Sequence, residues 1–199
     1  AVNAAKPIWH TSQFTISFML GALICGGGVT ILLMYLRKEK EANREETIYA
    51  ISKMLFFLLI VSVFIHVWTA IISSYGDGLL AESINAVKNG PLAFNHIYLE
   101  VVVGIVIPIV LLLIGKFRSL SLAALASFFA IVGVFFSRYD SIIGGQLIKV
   151  ESTFLPKLEL STYTPTFAEI SILIGGAGLA MLIYELGHKY LPMHEEREK

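Results

Sequence analysis

The stretch ISKMLFFLLIVSVFIHVWTAIISS, residues 51–74, carries one charge, Lys53 near its start, and none after it. With the residues just before it the run covers 48–74, more than the ~20 residues a helix needs to cross a bilayer's hydrocarbon core. Such a run reads as a membrane helix, because a helix satisfies all its own backbone groups in lipid. Working outward, four more runs of spanning length appear at about 14–36, 95–115, 119–137 and 166–188. The reading is an all-α fold, a polytopic membrane helix bundle with about five transmembrane helices, in which residues 1–199 form a single transmembrane domain.

Composition excludes several function classes. The chain is 56% hydrophobic and 15% charged, where soluble domains carry roughly 25% charged residues, and its mean hydropathy is +0.74. A net charge of +0 gives no electrostatic footprint for nucleic acid. Cys25 is the one cysteine, so an internal disulfide and a cysteine-ligated zinc or iron–sulfur site are both out of reach; within an apolar run it reads as a small core residue. No zinc spacing, phosphate loop or nucleophile elbow is visible.

Lysine and arginine set the expected orientation. Arg37, Lys38, Lys40, Arg44, Lys53, Lys116, Arg118, Lys189, Arg197 and Lys199 fall on one side of the membrane. Lys6, Lys88, Arg138, Lys149 and Lys157 fall on the other, which accounts for all 15. The richer side is expected to be cytoplasmic, with the C-terminus. The N-terminus and the loops 75–94 and 138–165 then face outward. Glycine clusters at 26–28 and at 175, 176 and 178 suit close helix packing, and Pro108 should kink the third span.

Ionisable groups inside membrane helices are functional by default. His66 lies about seven residues from the outer end of the second span and Glu100 about five residues into the third. At ~1.5 Å rise per residue both lie roughly 8–10 Å below the outer surface, so they share a depth. Arg138 closes the fourth span on that side, and Trp9 and His10 precede the first. A His–Glu pair there is suited to bind a quinone carbonyl or to take protons from a quinol, and Glu100 and His66 are the proton-handling candidates. Their structural alternatives are a hydrogen bond between helices for Glu100 and an interface anchor for Trp9. Glu169 reads as the acid of a capping box opened by Thr166, with Pro165 before it. Lys53 and Glu185 lie near inner helix ends, where long side chains reach water. A b-type cytochrome is the metal-bearing alternative, with His66 paired to His96 or His10. A transporter is disfavoured, since Pro108 is a lone helix break.

Several phrases resemble the NrfD/polysulphide-reductase type of integral membrane subunit, including its hydrogenase-linked, HybB-like branch. Gly90-Pro91, Phe94, Glu100, Gly104 and Pro108 match its GP…F…E…G..iP helix opening. Arg138-Tyr139-Asp140, Gly144-Gly145-Gln146 is similar to its R-x-x…G-Q segment. Tyr163-Thr-Pro165-Thr-Phe-Ala-Glu169 resembles its Y-x-P-T-x-x-E motif, and Pro7-Ile-Trp9-His10-Thr11 its W-x-t segment. The motifs occur in the family's order over nearly the whole chain. Since family members carry eight to ten helices in two bundles, the resemblance implies that the chain is the C-terminal half of such a subunit or a split one. The resemblance implies a quinone-interacting membrane anchor, taking menaquinone or ubiquinone, with no haem or iron–sulfur cluster of its own. It implies a ferredoxin-like iron–sulfur partner and further redox subunits in a prokaryotic cytoplasmic membrane. Trp9, His10, Arg138, Tyr139, Gln146, Tyr163 and Glu169 stand at motif positions or beside them as quinone-binding or partner-docking residues. The other readings are a purely structural anchor and the b-type cytochrome subunit.

Overall fold

The computed structural model describes residues 7–9, 12–37, 44–76, 78–150, 158–160 and 165–190. Residues 1–161 and 162–199 form two compact units, each described by itself. Five helices among the described residues are long and apolar enough to cross a membrane, as the five apolar runs predict.

The first unit opens with a 3-10 turn at Pro7–Trp9. Helix α1 is Ser12–Arg37 and α2 is Arg44–Tyr75. Glu45 and Glu46 sit in the first turn of α2, where the positive end of the helix dipole favours carboxylates. A short helix α3, Leu79–Lys88, follows. The third span is composite, wound as a π-helix over Asn95–Val106 and as α4 over Ile107–Ile114. Pro108 accounts for the change of winding. It has no N–H, and in an α-helix its ring would press on the carbonyl four residues back, which belongs to Gly104. The chain keeps i→i+5 bonding through Ile107, whose N–H reaches the Val102 carbonyl, and starts α winding with Pro108 in the first turn, where a missing donor does no harm.

Gly115–Ser119 turns the chain into α5, Leu120–Leu147. Two non-glycine residues there, Lys116 and Phe117, take positive φ of 48° and 61°. That conformation is unfavourable for a bulky residue. Phe117 offsets it by setting its ring edge-on to Phe56 of α2, 5.3 Å away. Helix α5 continues to Leu147, well past the expected end at 137, so Arg138, Tyr139 and Gln146 are helical rather than loop residues. Two three-residue strands, β1 Ile148–Val150 and β2 Leu158–Leu160, pair antiparallel with Ile148 opposite Leu160.

Helix α5 is the hub of this unit, packed on α1, on the π segment and on α4, and α1 lies against α2. Ile31, Leu55, Leu59, Leu112, Ala126 and Ala130 form the most enclosed part of the interior. The outer faces carry Met19, Phe57, Phe64, Ile114 and Phe128 in the open, apolar side chains of the kind a membrane helix turns toward lipid or neighbouring helices. Gly26 faces open space. Gly28 packs on Ile131 and Ser127 of α5, and Gly104 and Gly133 stand so close that a Cβ on either would strike the backbone of the other.

The second unit holds helix α6, Phe167–Tyr190. The expected capping box opens it. Glu169 accepts from the Thr166 backbone N–H at 2.6 Å and from its hydroxyl at 3.0 Å, and the Glu169 N–H donates back to the Thr166 hydroxyl at 3.4 Å. Within that unit Gly175, Gly176 and Gly178 meet no neighbour.

Candidate functional site

His66 stands on α2 and Glu100 on the π segment, and the fold brings them into contact. His66 Nε2 lies 2.9 Å from Glu100 Oε1. The other carboxylate oxygen, Oε2, lies 2.6 Å from Nδ1 of His96. His96 and Glu100 are four residues apart on one helical face, the spacing at which side chains meet. Glu100 is buried at 7% exposure, as a carboxylate is when partners satisfy it.

Partner chemistry fixes the protons. The Ser62 carbonyl, 2.8 Å from His66 Nδ1, can only accept, so Nδ1 carries a hydrogen. In a neutral imidazole Nε2 is then a lone pair, and a lone pair facing a bare carboxylate at 2.9 Å repels it. The contact is a hydrogen bond only if one further proton lies between them. Either His66 is an imidazolium donating to the carboxylate, or Glu100 is a carboxylic acid donating to His66. The bond from His96 needs no second extra proton, since a neutral ring donates through Nδ1. The triad as built therefore holds one exchangeable proton.

The triad opens on a cavity of about 180 Å³, larger than the ~150 Å³ cavity that takes up benzene. Helices α1, α2, α3 and α5, the π segment and the 3-10 turn all contribute to its wall. Phe14, Leu20, Leu59, Ile105 and Val134 make much of it apolar, while Gln13, Thr69, Lys88, Asp140 and Arg138 add polar groups. Gln13 donates to the Thr69 hydroxyl, which itself donates to the Ile65 carbonyl at 2.8 Å. Leu80, Ile84 and Lys88 of α3, spaced i, i+4, i+8, present one helical face to the cavity. Asn85 ties α3 to the end of α2, donating to the Ser73 carbonyl at 2.5 Å. Burial pulls the Lys88 ammonium below its ordinary value, while the charges of Glu100 and then Asp140 push it back up.

The sequence candidates divide clearly. His66, Glu100 and Arg138 line the cavity. Trp9 packs instead on α5, its ring where a Gly145 Cβ would be, and its indole N–H donates to the Ser141 carbonyl at 2.9 Å. Tyr139 and Gln146 are half-buried on α5, away from the cavity lining. Glu169 is engaged with Thr166. His10 and Tyr163 lie outside the described residues. Lys88, Asp140, Gln13 and Thr69 complete the site and were not among its sequence candidates, and His96, offered by the sequence only as a haem ligand, joins them. His96 had a visible signal, its i, i+4 spacing to Glu100.

Arg138 turns onto α1. One guanidinium nitrogen donates to the carbonyls of Ser17 at 3.2 Å and Phe18 at 2.5 Å, and the group lies 3.6 Å over the Phe18 ring. Gly21 leaves the room it occupies. Hydrogen bonds to charged groups contribute about 1.5–3 kcal/mol each. Arg138→Gln is thus expected to destabilise the fold by about 2–3 kcal/mol, read as a lowered melting temperature in detergent. Arg138→Lys should recover only part of this, because an ammonium lacks the planar fork and its stacking. Equal melting of wild type and Arg138→Gln would show that the guanidinium does not fasten α1.

His66, His96 and Glu100 each bring one metal-ligand atom within 4.8 Å of the others. Around one ion with ~2 Å bonds at tetrahedral angles, ligand atoms stand roughly 3.3 Å apart. Here the contacts stand at 2.9 and 2.6 Å, the lengths of hydrogen bonds. The two rings stack, nearly parallel at 16° and 5.9 Å between centroids, with both aiming a nitrogen at Glu100.

The sequence matches the family model described as Polysulphide reductase, NrfD, over residues 1–151. No curated protein and no solved structure matches the chain.

Proposed function

The chain belongs to the polysulphide reductase NrfD family, and from that premise we propose that the cavity beside Glu100 binds a quinol or quinone headgroup for a membrane-bound oxidoreductase. The observation that carries this reading is the His66–Glu100 contact at 2.9 Å with His66 Nδ1 committed to Ser62. Quinone chemistry couples electrons to protons, and a group that stores one proton beside a ring-sized apolar cavity supplies the proton half of it. His66 and Glu100 give their shared proton when a quinone is reduced. In quinol oxidation they first release it and then accept one from a quinol hydroxyl, as a general base of matched acidity does.

The electrons leave to an iron–sulfur centre of a partner subunit, since this chain has one cysteine. By the lysine and arginine count the site lies toward the outer face of a prokaryotic cytoplasmic membrane, and the partner docks there. Trp9, Tyr139 and Gln146 stand at that end of the first unit and are the docking side chains of this reading.

Mild-detergent purification from the native membrane tests it. The expected preparation retains an iron–sulfur subunit and bound quinone, with no Soret band on this chain after separation. A Soret band retained by this chain alone would replace the reading with a cytochrome. Complete absence of quinone and of quinol uptake would leave a structural anchor.

A further inference from the structure

Glu100 is not the sole carboxylate of the cavity. Asp140 of α5 lines it too, and both its oxygens are enclosed without closing a hydrogen bond among the described residues. Asn95, at the start of the π segment, lies within reach of it. The charges around it are Lys88 on α3, the His66–Glu100–His96 triad on α2 and the π segment, and Arg138 on its own helix. Arg138 is committed to the Ser17 and Phe18 carbonyls. Lys88 feels both Asp140 and Glu100. Enclosed carboxylate oxygens with no more than a loose contact to Asn95 are costly to keep charged, and an O–H donor entering the cavity would satisfy them.

We propose that Asp140 is the second proton acceptor of this site, taking the proton of one quinol hydroxyl while the His66–Glu100 pair takes the other. The inference rests on the quinol reading above and adds the group that reading leaves out. The balance requires two. Oxidation of a quinol breaks two O–H bonds and releases two protons and two electrons. The electrons pass singly, in succession, to an iron–sulfur centre of the partner subunit. The triad, once its stored proton has left, has room for one proton. Asp140 takes the other and becomes a neutral carboxylic acid, and Lys88 then remains as the nearby positive charge. On quinone reduction the same two groups return the protons.

The test uses the complex purified from its native membrane, with decylubiquinol and menadiol as probes. Infrared difference spectra in H₂O and D₂O report carboxyl protonation, and turnover is followed at the iron–sulfur centre. The wild type should gain a protonated-carboxyl band during quinol oxidation. Asp140→Asn should lose that band and about 10²-fold in turnover while still binding the probe. Asp140→Glu should restore part of both, with the band at a shifted frequency. A band that survives unchanged in Asp140→Asn, or turnover within about twofold of wild type, overturns the assignment. If Asp140→Asn does not assemble, Asp140→Glu decides, because an unshifted band there also overturns it. Failure of the wild type to bind either probe brings down the quinol reading itself. Binding and turnover that depend on Glu100 and ignore Asp140 bring down this inference alone.

Discussion

Glu100→Gln is expected to lower quinol turnover by about 10²–10³-fold in a complex that still assembles. A glutamine keeps the shape of the side chain. Its carbonyl oxygen accepts from His96 Nδ1, which sits 2.6 Å from Oε2, and its NH₂ donates to the His66 Nε2 lone pair, which sits 2.9 Å from Oε1. Both contacts survive with neutral rings, and the exchangeable proton is gone. The substitution thus separates chemistry from packing more cleanly than a truncation would. Glu100→Ala would also leave His66 and His96 facing a void and add the penalty of unpaired buried groups. The predicted loss lies in the chemical step, so turnover should fall while quinol binding changes by less than about tenfold. Turnover of Glu100→Gln equal to wild type would leave the triad a structural tie between α2 and the π segment.

Much of this was legible in the sequence, and the remainder was hidden for identifiable reasons. Five spans follow from five apolar runs, because lipid demands long, self-satisfied backbone. The meeting of His66 and Glu100 follows from their matched depth on two neighbouring spans. Helix α3 was not visible at that level, being too short to span. Its Leu80, Ile84 and Lys88 repeat is helical only when read as an amphipathic face. The true end of α5 was hidden by its polarity. Arg138, Tyr139 and Asp140 look like a helix running into water, yet the helix continues to Leu147. It does so because Arg138 and Asp140 face an internal cavity and Gly145 packs under Trp9. Depth is written in sequence distance from a span's end. Which way a polar side chain faces depends on the neighbouring helix, and for Asp140 and Lys88 that decides membership of the site.

Gly133→Ala is expected to destabilise the first unit by about 1–3 kcal/mol, the range for overpacking a close contact, and Gly133→Val by more. A Cβ at Gly133 would fall on the Cα of Gly104, and one at Gly104 on the Cα of Gly133. The obstacle is backbone on both sides, so no rotamer change relieves it, and the π segment and α5 must move apart. Helices in lipid hold together chiefly through such close packing. The shift also reaches the site, since Gly104 and Gly133 both line the cavity, with Glu100 one turn before the first and Asp140 about two turns beyond the second. Lost stability should therefore come with lost turnover. Gly104→Ala and Gly133→Ala combined should cost less than their sum, because the first separation makes room for the second methyl. Gly26→Ala is the control. A Cβ there meets open space, and alanine is the better helix former by about 1 kcal/mol, so this variant should melt no lower than wild type. Thermal unfolding in detergent gives the comparison, and a Gly133→Ala protein that melts with Gly26→Ala would mean that the two backbones do not meet.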